Sequence, residues 1–396
     1  MTMRIKSTSI CVLMGSLIIS MSGIRYILNI QESNIIIYGI YMIFIFCSLF
    51  LFQKKFRNVK YLKAIPKIGL VFIVYGLVTS LLGSSQDIVN AIKLLIVFFT
   101  AISFYLMSIK DIRQVINLAY IFLIIYILFI LLRPDRINRY LSVGSNYLVL
   151  SLPIGMLLAM MLSRIIYRLY ANKDLKKIII DSAISMMSLM ALTKISGRGS
   201  ILFPFFTSAL ILVMLGRKHI FKSLLLIILF CLFTLFAYKF FLSHASGYIL
   251  AHLLTIFGDT SGESRWGIWK NSINYISNNM HWLIGGGIGA SVRYLGTYPH
   301  NIYLHCIAEF GLIGGIFSLY VTLYTSKIQF DVIKHPFLSD ENMLLFTELS
   351  AGSIYMLLNF MKSFPVYDSV ILLMMVFGVL SLYFQNKNNY VVSIKK

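Results

Sequence analysis

Apolar runs of about 20 residues recur along nearly the whole chain, separated by short polar stretches, and a helix of that length matches the hydrocarbon thickness of a bilayer. The runs lack the strict alternation of a membrane barrel, and in lipid only helices and closed barrels satisfy their own backbone polar groups. The sequence therefore predicts an all-α integral membrane protein. Composition agrees: 59% of the 396 residues are hydrophobic and 12% charged, against about 25% charged in an ordinary soluble domain. The first apolar run lacks a small-residue cleavage site and is followed by others, so it is expected to remain as a helix.

About twelve spans fit the pattern, near 8–29, 34–52, 66–84, 88–109, 114–132, 147–166, 178–195, 200–216, 220–242, 301–325, 343–362 and 366–384. The net charge of +21 is concentrated in alternate loops. One set holds Arg4 and Lys6, the run Lys54 to Lys63, Lys110 and Arg113, Arg164 to Lys177, Arg217 to Lys222, Lys327 and Lys334, and the C-terminal lysines. By the positive-inside rule that side is cytoplasmic, with both termini on it. Charge sorted in this way serves membrane insertion, and nucleic acid is not expected as a partner. Cys11, Cys47, Cys231 and Cys306 all fall within apolar runs without CxxC spacing, as packing residues do.

This orientation leaves one large extracytoplasmic loop, residues 243–300, between spans 9 and 10, in a chain otherwise forming a single polytopic domain. The loop 133–146 and the turn Ser196-Gly197-Arg198-Gly199 face the same way. Basic residues on this side run against the orientation rule and call for another explanation. Arg133, Arg136 and Arg139 share one short loop, Arg198 sits at the turn, and Arg265 opens a predicted helix. Arg133 and Arg136 equally suit anchoring to lipid headgroups. Residues 264–279 put Trp266, Trp269, Ile273 and Ile276 at spacings of three and four, the pattern of an amphipathic helix.

Gly285-Gly286-Gly287-Ile288-Gly289 lacks the Lys-Ser/Thr of a phosphate-binding loop and reads as a tight backbone turn. His300 stands after Pro299 where the loop re-enters the bilayer, and a neutral imidazole there can take a proton from an attacking hydroxyl. His305, one turn on, reads as a packing residue. Acidic groups outside are few: Asp135, Asp259 and Glu263. Glu309 lies within the tenth span, where an ionisable group needs a partner or a task. With no Asp-x-Asp pair or HExxH on this side, the residues do not suggest a metal. Guanidinium groups bind oxyanions bidentately and stay charged, which suits a phosphate or diphosphate leaving group.

His300-Asn301, nine residues, then Gly311-Leu312-Ile313-Gly314 resembles the signature of the O-antigen ligase and polymerase superfamily. The Ser196–Ser200 turn is similar to the family's arginine-bearing turn. Arg265, with Trp269 behind it and the glycine run after it, resembles the arginine that opens the family's long external loop. Gly144-Ser145-Asn146-Tyr147 is a weaker likeness. The resemblance covers roughly residues 130 to 320 and implies a bacterial inner-membrane glycosyltransferase acting on polyprenyl-diphosphate-linked oligosaccharide, without nucleotide sugar, cofactor or metal. It implies catalytic roles for Arg198 and Arg265 on the diphosphate and for His300 on the acceptor hydroxyl. Arg133, Arg136, Arg139, Asn301, Glu263 and Trp269 are then expected at the substrate. A polymerase of repeat units is the favoured member, with membrane lipid, a flippase and a chain-length regulator as partners. A ligase moving finished polysaccharide to a lipid core is the alternative, and a polytopic flippase of lipid-linked oligosaccharide is the alternative of another class.

Overall fold

The computed structural model of the chain describes residues 2–28, 34–57, 64–81, 85–133, 137, 147–171, 174–195, 198–216, 264–278, 282–334 and 338–394. Among these residues the regular structure is entirely helical. The helices are α1 (Thr2–Ile19), α2 (Met21–Leu28), α3 (Asn34–Arg57), α4 (Ala64–Leu81), α5 (Ser85–Leu106) and α6 (Ile109–Leu132). Then come α7 (Tyr147–Tyr170), α8 (Leu175–Lys194), α9 (Arg198–Gly216) and α10 (Ser264–Asn278). Last are α11 (Ala290–Leu295), α12 (Ile302–Lys334), α13 (Asp340–Phe360), a 3-10 turn at Val366–Asp368, and α14 (Val370–Ile394).

Among the described residues six helices are long and apolar enough to cross a membrane: α5, α6, α7, α12, α13 and α14. Shorter apolar stretches occupy α3 (Ile37–Leu51), α4 (Gly69–Ser80) and α9 (Gly199–Leu215). The predicted span at 220–242 and the first part of the large loop, 243–263, lie outside the described residues.

The predicted first span is instead two helices, α1 and α2, bent by 78°. The cause is local. The hydroxyls of Ser16 and Ser20 bond back to the carbonyls of Val12 and Ser16, each at 2.7 Å, competing with the helical ladder. Gly23 then lets α2 lie directly on Tyr126 of α6, where a Cβ would come within 2.6 Å of the ring.

The core centres on α7, 83% of whose spanning window is buried, flanked by α8, α9 and α13. By contrast α12 is 39% buried along its span and runs at the periphery. Ser108 caps α6 by accepting from the Asp111 N–H at 3.2 Å.

Deep between α6, α7, α8 and α13 lies a cluster that loop counting does not anticipate. Arg164 Nε is 3.3 Å from Asp181 and 3.5 Å from Glu348, and Arg168 pairs with Asp181. Tyr120 donates to Glu348 at 2.9 Å, and the Arg164 guanidinium lies over its ring. Arg164 and Arg168, read from sequence as loop charge, are thus carried inside on α7, where they neutralise the two carboxylates. A buried charge must be paired in this way to be tolerated.

Candidate functional site

The break in α12 organises the site. Gly311 sits at φ +68 inside the helix, so the ladder stops there. A regular helix would bond the N–H of residue 312 to the carbonyl of 308, and that of 313 to 309. Here the glycine-rich loop takes over. Gly286 N–H donates to the Ala308 carbonyl and Gly287 N–H to the Glu309 carbonyl, each at 3.0 Å, while Leu312 N–H donates to the Trp282 carbonyl at 2.8 Å. Backbones this close exclude side chains: a Cβ on Gly285 would lie 2.3 Å from the Glu309 carbonyl oxygen, and one on Gly311 2.1 Å from that of Leu283. The turn read from the sequence is present, and its partner is the helix that follows it.

The same break presents Glu309, wholly buried, to the far end of the loop. Its Oε1 accepts from Gly289 N–H at 3.0 Å, Ser291 Oγ at 3.2 Å, His305 Nε2 at 2.9 Å, and the Tyr367 hydroxyl. His305, also wholly buried, receives the Val366 N–H on Nδ1 at 3.1 Å. That bond assigns the ring proton to Nε2, so His305 is a fixed donor. Burial raises the Tyr367 hydroxyl pKa well above its ordinary range, and the Glu309 carboxylate raises it further, so Tyr367 stays protonated. Glu309 thereby ties together the loop 289–291, α12 and the 3-10 turn. Arg293 reinforces the loop by donating to the carbonyls of Ile288 and Gly286, each at 3.0 Å, and by pairing with Asp87 of α5.

His300 sits just outside this knot. It is the one non-glycine residue among those described with positive φ (+53), a conformation that costs about 1–2 kcal/mol and is often stored at functional sites. Its ring is 4.2 Å, centroid to centroid, from Tyr298, whose hydroxyl donates to the Ser363 carbonyl at 3.1 Å. Tyr298 in turn lies 6.3 Å from His305. His300 is thus half-buried at the mouth of α12, propped by a tyrosine that rests against the knot.

Asn301, expected at the substrate, caps α12: its Oδ1 accepts from the N–H groups of Tyr303 and Leu304 at 3.0 and 3.2 Å. Arg133 is the exposed C-cap of α6. Arg198 is the first residue of α9, beside Ser200, whose hydroxyl meets that of Ser151 at 2.8 Å. An added Cβ on the next residue, Gly199, would be 3.3 Å from Asn359 Oδ1 near the end of α13. This puts the Arg198 backbone at the same end of the bundle as His300, since Tyr298 is tied to Ser363 just beyond α13. Arg265 is the second residue of α10, which packs on α11 and α12 and stacks Tyr275 on Tyr294 at 5.0 Å. Arg136, Arg139 and Glu263 lie outside the described residues.

The residues of the predicted apolar face of α10 are divided between the protein and the exposed side. Ile268, Trp269, Ser272, Tyr275 and Ile276 face the protein, whereas Trp266 and Ile273 are exposed. Trp266 meets Trp269 edge-on at 5.3 Å.

A cavity of about 260 Å³ opens at this end, behind Tyr367. Its polar wall comprises Ser22 and Arg25 of α2, Tyr38 and Tyr41 of α3, Lys93 of α5, and Tyr367 and Asp368 of the 3-10 turn. These groups come from four separate elements, and no local sequence pattern joins them. No protein-family model matches the chain, and no curated protein sequence matches it.

Proposed function

We propose that the chain is an integral-membrane glycosyltransferase of the O-antigen polymerase type, joining lipid-linked oligosaccharide repeat units on the extracytoplasmic face of a bacterial inner membrane. The observation that carries this reading is the physical coherence of the His300–Gly314 signature. Its asparagine caps the helix, its first glycine breaks that helix against the loop, and its histidine is held strained at the mouth. A capped, anchored and propped imidazole is what positioning an acceptor hydroxyl requires.

In the proposed reaction the acceptor oxygen attacks the anomeric carbon of the donor sugar. The carbon–oxygen bond to the polyprenyl diphosphate breaks, and His300 takes the hydroxyl proton. Arg198 and Arg265 stabilise the departing diphosphate, the role to which bidentate guanidinium groups are suited. Asn301 acts by fixing the first turn of α12. Arg133, Arg136, Arg139, Glu263 and Trp269 are proposed at the periphery of the substrate path, with a flippase and a chain-length regulator as upstream and downstream partners.

The charged cavity at Arg25 and Lys93 favours one other reading, a transporter of lipid-linked oligosaccharide, because intramembrane charges often line a transport path. The test is a gel of surface polysaccharide from a strain lacking the gene, complemented with wild type or His300→Ala. We expect the long ladder to vanish with His300→Ala, polymer yield falling at least about 100-fold, while a single repeat remains on its lipid anchor. Long polymer accumulating on the polyprenyl carrier would indicate a ligase instead. An unchanged ladder would favour transport.

A further inference from the structure

We infer that residues 282–284 form a re-entrant stretch whose Trp282, Leu283 and Ile284 side chains contact the acyl chains of the bilayer, below the level of the lipid headgroups. The inference goes beyond the glycosyltransferase reading and does not rest on it.

Depth can be measured along α12. Its exposed face is apolar from Leu312 through Ile313, Ile316 and Leu319 to Leu323, and turns polar at Ser326, Lys327 and Asp331. A helix rises about 1.5 Å per residue, so Leu312 lies about 22 Å along the axis from Lys327 and about 28 Å from Asp331. Either distance is shorter than the hydrocarbon core of about 30 Å, and helix tilt shortens it further across the bilayer. The break at Gly311 falls outside the stretch measured. Leu312 is therefore within the hydrocarbon. Its N–H donates to the Trp282 carbonyl at 2.8 Å, which puts the loop at the same depth. A second helix agrees. The Tyr75 hydroxyl of α4 donates to the Ile284 carbonyl at 2.6 Å. Tyr75 lies inside that helix, about 9 Å before its end at Leu81.

Irregular backbone is tolerated at membrane depth where protein, not water, takes up its polar groups. The stretch is built that way. Beyond the bonds to α12 and α4, the carbonyls of Gly286 and Ile288 accept from the Arg293 guanidinium, and those of Gly287 and Gly289 from the N–H groups of Ala290 and Arg293. The Gly289 N–H goes to the Glu309 carboxylate. Residues 282–292 hold no ionisable side chain. The glycines turn inward and are mostly buried, whereas Trp282, Leu283 and Ile284 are 51%, 45% and 51% exposed. Water would penalise three successive apolar side chains held open in this way. At this depth they instead extend the lipid-facing stripe of α12, which starts at Leu312, the residue that Trp282 bonds. That continuity, together with the depth, selects acyl chains over a water-soluble partner.

The test is tryptophan fluorescence of the purified full chain in phosphatidylcholine vesicles. The double variant Trp266→Phe, Trp269→Phe leaves Trp282 as the single indole. Phosphatidylcholine brominated on its acyl chains should remove most of the Trp282 emission, and iodide present on both sides of the membrane should leave it nearly unchanged. If the double variant does not fold, wild type is compared with Trp282→Phe. The difference between their two quenching curves then isolates the same indole, and its share should be lost to bromine and spared by iodide. Quenching by iodide without quenching by bromolipid would place the stretch in water and overturn the inference. Protection from both quenchers would mean that protein covers the face, a second copy of the chain for example, and would overturn it equally. The readout involves no glycosyl transfer, so it stands or falls apart from the fate of the polysaccharide ladder.

Discussion

Alanine in place of Glu309 is expected to destabilise the protein by about 3 kcal/mol, a large share of the 5–15 kcal/mol that holds a typical domain together. Four donors converge on one oxygen of this carboxylate. The Ser291 and Tyr367 hydroxyls can rotate toward other acceptors. The Gly289 N–H cannot, since it is fixed by the backbone, and the His305 Nε2–H, its ring held by the Val366 bond, keeps only the Tyr367 hydroxyl oxygen at 3.1 Å. Each buried donor left unsatisfied costs about 1–3 kcal/mol. Glu309→Gln should cost less, because an amide oxygen still accepts at Oε1, although neutral hydrogen bonds are about half as strong as charged ones. Thermal unfolding of the purified variants in detergent checks this order. If Glu309→Ala melts with the wild type, the knot is not what fastens the loop to α12.

A second large effect is expected within α13. Glu348→Ala should cost about 3–5 kcal/mol, because it leaves one positive charge in excess within a buried cluster. It also removes the acceptor of Tyr120. The double replacement Arg164→Met, Glu348→Leu leaves the Arg168–Asp181 pair neutral and intact. It should therefore be less destabilised than the sum of its parts by about 1–3 kcal/mol. Additive losses in a double-mutant cycle would show that Arg164 and Glu348 do not interact as a unit. Both effects are predicted on stability, so both should lower the yield of folded, inserted protein before any activity is read.

The sequence made some of this architecture readable and hid the rest for physical reasons. Apolar runs of spanning length announce helices whatever they pack against, and α5, α6, α7, α12, α13 and α14 stand where such runs lie. The bend at Ser20 was not foreseen, because serine and glycine are common inside membrane helices and only their back-bonding shows which one yields. The glycine run was legible as a turn because alternating glycines permit positive φ, as found at Gly285, Gly287 and Gly289. Its docking on α12 was not, because backbone-to-backbone bonds leave no side-chain pattern to read. His305 and Glu309 did carry a signal: four residues apart, they share one helix face. Reading His305 as mere packing passed over that spacing. The cavity was invisible because its polar groups come from positions 22 to 368, and only the fold brings them together.

The break in α12 has a consequence for how the protein is made. Chains are synthesised from the N-terminus, so residues 282–287 leave the ribosome before the helix whose missing bonds they replace. A span released into lipid with the Ala308 and Glu309 carbonyls bare would carry a penalty of several kcal/mol for each. With the loop already synthesised, those carbonyls have their partners at hand as soon as the helix arrives. The chain order thus supplies the splint before the fracture, and the integrity of the helix is encoded in residues 282–287, well upstream of its own break at Gly311.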